Sequence, residues 1–466
     1  MAKTKLFESN VDVIKYKVLR EVARHAWDGE DPFRHFNEIA DVVAPMNEPP
    51  QRCCIYKDRA VVAERIRLSL GEYRGSKDTI QVVQIACDDC PKSGRTITDM
   101  CRGCLAHNCR EACPVDAIAL DAKGRAHIDK TKCIECGRCQ EACKYGAVAN
   151  FTRPCERRCP VDAISMSENG ASQIDQDKCI VCGNCVYECP FGAMNEVSGI
   201  ERVINAIRSD RRVYAIIAPA VATQFPGTSV GQIFSATKEL GFTDVVEVAE
   251  GADLTALQEA NELLEKGFLT TSCCPAFVEY INVKFPMLKE HVSHTPSPMV
   301  LTAKTIKAKD PDAVIYFIGP CIAKKYERKK DIAKDYVDGV LTFLELKALF
   351  DSKGVDPSGM EEMKLNNSSP YARGFAQAGG VAQAVKQALI ELGHEDFDLR
   401  PIAVSGPAEI KACLMKAKAG KLDYNLIEGM MCAGGCVRGN GTLINKKNTP
   451  ATMNEYMEQA EKRTIK

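Results

Sequence analysis

Five cysteines lie in three short loops of the C-terminal half of this chain of 466 residues. The loops read Thr271-Ser-Cys-Cys-Pro-Ala-Phe277, Gly319-Pro-Cys-Ile-Ala-Lys-Lys325 and Glu428-Gly-Met-Met-Cys-Ala-Gly-Gly-Cys436. Four cysteine thiolates hold one 4Fe–4S cube. The loops therefore offer one set of cluster ligands and one spare thiol, and a thiol beside a metal cluster can give and take protons.

A second set of cysteines forms a repeat in the first half of the chain. Sixteen of the 24 cysteines lie between Cys87 and Cys189, and six of them recur 46 residues later. The members Cys109, Cys113, Cys133, Cys136, Cys139 and Cys143 correspond to Cys155, Cys159, Cys179, Cys182, Cys185 and Cys189. Neighbouring residues recur too, since Cys113-Pro-Val-Asp-Ala-Ile118 matches Cys159-Pro-Val-Asp-Ala-Ile164. The repeat predicts duplication of one folding unit.

Each copy carries the spacing C-x2-C-x2-C-x3-C. This region resembles the two-cluster bacterial ferredoxins, in which the fourth cysteine of the motif binds the other cluster. The resemblance implies three accessory 4Fe–4S clusters. The first would be held by Cys101, Cys104, Cys109 and Cys143, the second by Cys113, Cys133, Cys136 and Cys139, and the third by Cys159, Cys179, Cys182 and Cys185.

A fourth accessory cluster is a hypothesis about the cysteines that remain, Cys87, Cys90, Cys155 and Cys189. The second copy lacks the leading pair of the first, because Ala147 and Asn150 stand at the positions of Cys101 and Cys104. The upstream pair Cys87-Asp-Asp-Cys90 could fill that vacancy, and four clusters would then use all sixteen cysteines.

Other uses of these cysteines are less consistent with the pattern. Zinc knuckles usually contain two separated C-x2-C pairs, not three cysteines within seven residues. Disulfide scaffolds are typical of short secreted chains, and this chain is long and begins without a signal-peptide pattern. His107 is interpreted as a bystander and the pair Cys53-Cys54 as structural rather than ligating.

Composition indicates an ordinary globular protein, with 45% hydrophobic and 26% charged residues and a formal net charge of −1. This charge gives no reason to expect nucleic acid or an anionic membrane as a partner. No apolar run approaches the roughly 18 residues that span a bilayer. We expect a cytoplasmic protein.

The elements that would position the C-terminal loops alternate between strands and helices. Strands are predicted at 213–218, 244–248, 313–318 and 401–405, and helices at 230–240, 375–392 and 408–418. A capping box at Thr255 and Gln258 predicts a helix that ends near Gly267, and Thr342 and Glu345 predict the start of another. Such alternation favours parallel sheets covered by helices, with ligands bound at the carboxyl ends of the strands.

The cysteine motifs and the alternation of strands and helices divide the chain into three predicted regions. Residues 1–78 are predicted to be helical, including 11–26 and 59–70, and have no interpretable motif. Residues 79–198 form the α+β ferredoxin-like domain. Residues 199–466 form an α/β catalytic domain with two lobes of helix-covered, mainly parallel sheet.

The three loops together resemble the signature loops of the iron-only (FeFe) hydrogenases, over about residues 80 to 445. The resemblance implies that Cys274, Cys321, Cys432 and Cys436 hold a 4Fe–4S cube. Cys436 would also bridge the cube to a two-iron subcluster that carries CO, cyanide and an azadithiolate. Adjacent residues in an extended loop project in opposite directions, so only one of Cys273 and Cys274 can bind the cube. The resemblance implies that Cys273 is the other one and acts as the proton shuttle.

Further residues are assigned by the same resemblance. Glu259, Glu262 and Ser293 match the family's proton relay, although the pattern alone makes the glutamates look like a solvated helix face. Lys324 and Met430 would contact the subcluster, in a pocket that also includes Pro219 and Ala220. Gly434 and Gly435 would let the backbone approach the cluster closely. Ala276-Phe277, Gly319, Ala220 and Met299 depart from the best-known family pattern, which is typical of a divergent branch.

The expected function is reversible conversion of two protons and two electrons to dihydrogen. No Gly-rich nucleotide loop is visible, so electrons would be exchanged with a ferredoxin or similar one-electron carrier, and maturation proteins would build the two-iron unit. Two alternatives stay open: a slow hydrogen sensor, and an iron–sulfur electron-transfer or cluster-carrier protein without a two-iron site.

Overall fold

The computed structural model describes residues 6–71, 78–87, 90–365, 368–444 and 449–466. None of the helices found within these ranges combines the length and the apolar character needed to cross a membrane.

Three helices occupy the N-terminal region, namely α1 (Asn10–Asp28), α2 (Phe36–Val43) and α3 (Ile55–Ser69). They confirm the helices predicted at 11–26 and 59–70. Their apolar faces belong to the same hydrophobic core as residues beyond 199, since Val22, Ile39 and Ile66 are fully buried with Ile204 and Phe350. Within residues 6–71, these helices are therefore packed onto the C-terminal half and share its core.

The ferredoxin-like region consists of short helices and two-stranded antiparallel sheets. Its helices are α4 (Gln84–Cys87), α5 (Asn108–Glu111), α6 (Arg138–Ala142), α7 (Pro154–Arg158) and α8 (Asn184–Glu188). Its strands are β1 (Ile80–Val82), β2 (Gly94–Ile97), β3 (Ile118–Leu120), β4 (Ala126–Ile128), β5 (Val148–Phe151), β6 (Ile164–Met166), β7 (Ser172–Ile174) and β8 (Met194–Glu196).

The duplicated units are nested in the chain. In the first copy (residues 94–151), β3 pairs with β4 and β5 pairs with β2. In the second copy, β6 pairs with β7, but the closing strand β8 pairs with β1, which precedes the first copy. The second copy therefore comprises residues 80–87 and Cys90 together with residues 152–196. The strand β1 leads directly to Cys87, as β2 leads to Cys101.

The C-terminal half contains two parallel sheets. Its strands are β9 (Val213–Ile217), β10 (Asp244–Glu247), β11 (Leu269–Thr270), β12 (Val314–Gly319), β13 (Gly339–Thr342), β14 (Pro401–Ser405) and β15 (Leu426–Met430). The first sheet has the order β10-β9-β12-β13 and the second β11-β15-β14, and every pairing within them is parallel. The predicted two-lobed parallel architecture is confirmed.

Helices cover these sheets. They are α9 (Ile200–Ile207), α10 (Val230–Glu239), α11 (Ala249–Lys266), α12 (Pro275–Lys284), α13 (Pro298–Lys309), α14 (Ala323–Glu327), α15 (Phe343–Lys353), α16 (Pro370–Gly374), α17 (Gly380–Glu391), α18 (Pro407–Lys418) and α19 (Thr449–Glu458). The predicted capping box at Thr342 and Glu345 is confirmed at the start of α15.

Two helix predictions were wrong in their boundaries. Helix α11 begins at Ala249, so Thr255 lies inside it and its buried hydroxyl donates to Gly251 O. The helix predicted over 375–392 begins only at Gly380, as α17, and the short helix α16 ends just before the predicted start. The chain adopts positive φ at Gly379, and a Cβ at Gly380 would collide with the carbonyl of Gly374, so only glycine permits this tight reversal.

Candidate active site

The three cysteine loops follow strands of both parallel sheets. Cys273 and Cys274 come after β11, and Cys274 is the N-cap of α12. Cys321 lies between β12 and α14, and Cys432 and Cys436 follow β15. Because all these strands are parallel, their carboxyl ends deliver the loops to one place between the two lobes.

Four of these thiols are close electrostatic neighbours, and we call them the active-site quartet: Cys274, Cys321, Cys432 and Cys436. Burial raises the pKa of Cys432 well above its usual value, and the Cys321, Cys274 and Cys436 sulfurs raise it further. Burial, followed by Cys274, raises the pKa of Cys321 to about 11. Desolvated thiols that repel each other's charge become stable thiolates when a cationic cluster binds them.

The spacing of the sulfurs fits a cluster better than a single ion. Zinc with bonds of about 2.3 Å holds its sulfurs roughly 3.8 Å apart. Among the described residues, no three cysteine sulfurs lie within 4.8 Å of one another. A cube separates its ligand sulfurs by its own width, so it does not require such a close grouping.

Cys273 points away from Cys274, as expected for neighbours in an extended loop. Cys274 packs against the hydrophobic core that contains Phe277 and Ile427, whereas Cys273 packs against the core that contains Met430. Burial and then the Glu259 carboxylate raise the pKa of Cys273 well above the usual value, so the group is a neutral thiol. A neutral thiol can donate a proton.

Glu259 and Ser272 make a buried polar pair next to Cys273. Glu259 is fully buried, and its Oε1 accepts the Ser272 backbone N–H at 3.0 Å. Its Oε2 has no hydrogen-bond partner among the described residues. Burial, with the charges of Glu262 and Glu428, raises the pKa of Glu259 to about 7. This carboxyl can therefore exchange a proton near neutral pH.

Glu262, one turn further along α11, lies in a more polar setting. Its Oε2 accepts the Ser293 hydroxyl at 2.6 Å and its Oε1 pairs with Lys266 Nζ at 2.6 Å. Although burial opposes it, these contacts lower the pKa of Glu262 overall. The two glutamates are thus not a solvated face, and the neighbouring exposed side chain of His294 marks where this polar track meets solvent.

The two glutamates are linked by residues that the sequence pattern did not reveal. The Ser272 hydroxyl donates to Thr295 O at 2.6 Å, and the Thr295 N–H donates to Ser293 Oγ at 3.1 Å. Hydroxyl groups carry no recognisable spacing, so Ser272 and Thr295 gave no signal beyond their place in the loops.

Lys324 brings a buried positive charge to the quartet. Its Nζ donates to Cys273 O at 3.3 Å and pairs with Glu327 at 2.5 Å. Burial alone would lower its pKa, but Glu327 and the nearby Cys321 and Cys273 raise it, so the ammonium persists. Met430 is buried in the core that Cys273 and Cys436 flank, and Pro219 and Ala220 are buried in a 3-10 turn after β9.

A second buried carboxylate, Glu428, was also not predicted. Its oxygens accept the backbone N–H groups of Gly379 and Ala382 at 2.8 and 2.9 Å, at the N-terminus of α17. Burial nevertheless raises its pKa to about 7. Its charge acts on both Cys273 and Cys436.

The glycines near the site are constrained by the neighbouring protein atoms. Gly434 and Gly435 have φ of 86° and 92°. A Cβ at Gly435 would lie 2.6 Å from Ala378 N, so this glycine is required by the neighbouring backbone. At Gly319, a Cβ would lie 2.5 Å from the Phe317 ring, so this ring fills the space beside the glycine.

Backbone N–H groups point at the accessory cysteines in a repeated pattern. The last cysteine of each motif accepts an N–H from the alanine four residues later, at 3.2 to 3.3 Å, in the pairs Cys113–Ala117, Cys143–Ala147, Cys159–Ala163 and Cys189–Ala193. Cys101 accepts the N–H of Ala126, and Cys87 accepts that of Ser172, its equivalent 46 residues on. Cys87 thus occupies the place in the second copy that Cys101 occupies in the first.

Within the ferredoxin-like region, cysteines from distant parts of the sequence are neighbours. Cys109 is influenced by Cys143, Cys101 and Cys104, which follow burial among the causes that raise its pKa. Cys113, Cys133, Cys136 and Cys139 line one cavity. Cys185 is influenced by Cys182, Cys179 and Cys159, and Cys90 by Cys87 and Cys189.

The third group lies beside the active-site quartet. Burial raises the pKa of Cys182 to about 12, with Cys274 among its charged neighbours, and Cys432 is influenced in turn by Cys182. Asn440, just beyond the quartet, donates to Cys182 O at 2.8 Å. The third and fourth groups adjoin through Cys185 and Cys155.

Three family models match this chain. The model for the C-terminal domain of the iron only hydrogenase large subunit matches residues 211–440. A 4Fe-4S dicluster domain matches residues 100–147 and the LdpA Fe-S cluster-binding domain matches residues 149–200.

Curated relatives include hydrogenases and assembly factors. The periplasmic [Fe] hydrogenase large subunit of Nitratidesulfovibrio vulgaris is 29% identical over 50% of this chain and 70% of its own. Iron hydrogenase 1 of Clostridium pasteurianum is 27% identical over 67% of this chain and 64% of its own. A probable cytosolic Fe-S cluster assembly factor of Aedes aegypti is 25% identical over 47% of this chain and 58% of its own.

A solved [FeFe]-hydrogenase, from work on oxygen inactivation of its H cluster, superposes with a TM-score of 0.50 and 22% identity over 57% of this chain and 91% of that chain. This likeness shows the fold. Together with the family models, it makes this chain a divergent FeFe-hydrogenase-like protein with a ferredoxin-like 4Fe–4S region on its N-terminal side.

Proposed function

We propose that this chain is a hydrogenase, which catalyses the reversible reaction of two protons and two electrons to give dihydrogen. The observation that carries the proposal is the fifth thiol. Cys273 lies beside the active-site quartet, under the influence of Glu259 and with Lys324 bound to its carbonyl. A protein that only stores electrons in a cube has no use for such a thiol.

The active-site quartet would hold the cube, with Cys436 as the bridge to the two-iron subcluster. That subcluster, with its CO, cyanide and azadithiolate ligands, supplies the redox chemistry that joins protons and electrons. Lys324 would place its buried ammonium against anionic ligands, and Met430 would pack its polarizable sulfur beside them. Pro219 and Ala220 would form the apolar wall on the β9 side. The chain's own contribution is to orient the group and exclude water.

Protons would move along buried groups between Cys273 and solvent. Glu259, with its pKa near 7, would exchange a proton with the Cys273 thiol. The backbone of Thr295 holds Ser272, which contacts Glu259, and Ser293 in one hydrogen-bonded network, and the Ser293 hydroxyl donates to Glu262. Glu262 is held by Lys266 close to the surface. Glu259, whose pKa is raised to about 7, would both accept and release a proton near neutral pH, whereas the lowered pKa of Glu262 keeps that carboxylate ionised, so it would pass a proton on to solvent quickly.

Electrons would travel through the four accessory clusters. The third adjoins the active-site quartet, the fourth adjoins the third, and the first copy presents the exposed Cys136 to solvent. An external one-electron carrier such as a ferredoxin would dock at the first copy.

The competing function is that of an iron–sulfur protein without a two-iron site, as the matches to cluster assembly factors suggest. The test is infrared spectroscopy and hydrogen production of the full chain made together with hydrogenase maturation proteins. Bands of metal-bound CO and cyanide, with hydrogen turnover, support the proposal, and their absence from iron-loaded protein favours the competitor.

The role of Cys273 has a matched control in Cys413, a buried cysteine on α18. Cys273→Ala should keep the iron content and the infrared bands but lose nearly all turnover, because the proton donor is gone. Cys413→Ala should keep all three. Full activity in Cys273→Ala would refute the shuttle.

A further inference from the structure

A buried arginine lies against the fourth group of cysteines. Arg153 is 1% exposed. Its Nε donates to Pro91 O at 2.9 Å, and its Nη2 donates to Cys90 O at 3.0 Å and Gly170 O at 2.8 Å. Its Nη1 donates to Ser172 Oγ at 3.2 Å and approaches Cys87 Sγ at 3.8 Å. The guanidinium thus holds three segments of the second copy around one site.

The charge of Arg153 needs a partner that its protein contacts do not provide. An arginine stays protonated in proteins, and a buried charge is costly unless it is compensated. In the part of the chain that the structure describes, its acceptors are carbonyls, a hydroxyl and a sulfur, with no carboxylate. An anion therefore belongs beside it. A 4Fe–4S cube on four thiolates is such an anion, and one-electron reduction adds a further negative charge.

Ser172 adds to the same effect. Its backbone N–H donates to Cys87 Sγ at 3.3 Å, and its hydroxyl lies 3.6 Å from both Cys87 Sγ and Cys155 Sγ. Hydrogen bonds to ligand sulfurs stabilise the more negative, reduced state of a cluster and raise its reduction potential.

The first copy provides an internal comparison. The residue 46 positions before Arg153 is His107, and the residue before Ser172 by the same offset is Ala126. His107 is buried at Nε2 with no hydrogen-bond partner among the described residues. These two positions of the first copy therefore supply neither a guanidinium nor a hydroxyl, in contrast to Arg153 and Ser172 of the second copy.

We propose that the fourth cluster, on Cys87, Cys90, Cys155 and Cys189, is the electron-storing cluster of this protein, with its reduced state stabilised by Arg153 and Ser172. A low-potential one-electron donor reduces the oxidised cube by one electron, and the added negative charge is balanced in place by the guanidinium. The stored electron remains on the fourth cluster, next to the third cluster, and is available to a reaction that consumes two electrons. The assignment rests on the proposed function only in requiring accessory clusters; its test does not require hydrogen turnover.

The test is a redox titration of the full, cluster-loaded chain, followed by electron paramagnetic resonance, with iron content measured on each sample. Arg153→Met should move the potential of one accessory cluster to a more negative value and leave the others in place. Arg153→Lys, which keeps a positive charge, should restore part of the shift. Hydrogen turnover is recorded separately, so a chain that proves inactive still reports on this assignment.

A milder pair of substitutions covers the case in which Arg153→Met loses iron. Ser172→Ala gives the second copy the alanine that the first copy has at Ala126. It should lower the reduction potential of the same cluster by a smaller amount. Ala126→Ser gives the first copy the serine that the second copy has at Ser172. It should raise the reduction potential of a different cluster. If Arg153→Met keeps its full iron content and all cluster potentials stay unchanged, the proposal is overturned. If Arg153→Met loses iron, unchanged potentials in Ser172→Ala overturn it instead.

Discussion

The two copies of the ferredoxin-like unit share one fold but have different surroundings. Cys136 in the first copy is exposed, whereas its equivalent, Cys182, adjoins the active-site quartet. Ile134 is 60% exposed, whereas its equivalent, Ile180, is 2% exposed in a core with Phe277. Duplication has thus given one unit that faces solvent and one that faces the catalytic lobes, although the cysteine pattern of both is the same.

The largest expected difference between the copies concerns electron flow. Cys182→Ala removes a ligand of the third cluster, next to the active-site quartet, and should abolish nearly all turnover that depends on an external one-electron carrier. Cys136→Ala removes the equivalent ligand of the second cluster and should leave part of the turnover, because a carrier can still reach the first cluster. Carrier-driven hydrogen production at matched protein concentration measures both.

An equal loss in the two variants would contradict this ordering of the clusters. Hydrogen–deuterium exchange on the active site, which needs no external electrons, is the control. It should persist in both variants, which separates a broken electron path from a damaged active site.

Stability should differ next. Ile180→Ala opens a cavity in the core between the second copy and α12, and should cost about 2–5 kcal/mol. Ile134→Ala removes an exposed side chain and should change stability by less than about 0.5 kcal/mol. The urea midpoint for loss of cluster absorbance, measured for both under the same conditions, gives the comparison.

The sequence predicts those parts of this architecture in which residues of one type recur at a characteristic spacing. The cysteine motifs, the 46-residue offset and the strand that precedes each active-site loop are all visible in the letters. The parallel sheets followed from apolar runs of strand length. The two helix errors arose where local signals compete, since Thr255 resembles a cap but lies in a longer helix, and Gly380 breaks a pattern that otherwise continues.

What sequence could not predict depends on long-range packing. The sequence predicts no difference in solvent exposure between the two copies, because Ile134 and Ile180 occupy the same position of the same motif. The burial of Glu259 and the contacts of Arg153 come from segments far away in sequence. The N-terminal helices showed no motif because they serve to cover the core around Phe350, which takes apolar side chains without a fixed spacing of reactive groups.

A smaller effect is expected where the second copy is hydrogen-bonded to the catalytic half. Asn440 Nδ2 donates to Cys182 O at 2.8 Å and to Asn184 Oδ1 at 2.9 Å. Asn440→Ala removes both bonds and should cost about 1–3 kcal/mol, since it leaves a partly buried carbonyl without its donor. The same urea midpoint measures it, and a change below about 0.5 kcal/mol would mean that solvent replaces these bonds.

The smallest expected effect is electrostatic and again has a match in the first copy. Asp162 pairs with Lys284 of α12 at 2.9 Å, while its equivalent, Asp116, belongs to the copy that faces solvent. Both have positive φ, of 56° and 47°, which asparagine tolerates as well as aspartate, so substitution does not strain the backbone. Asp162→Asn should cost about 0.2–1 kcal/mol at low salt, because the pair is largely exposed, and this cost should vanish in high salt. Asp116→Asn should cost nothing at either ionic strength. A loss in Asp162→Asn that persists in high salt would show that Asp162 acts through hydrogen bonding or packing instead of charge, and that its ion pair with Lys284 does not hold the second copy to the catalytic lobe.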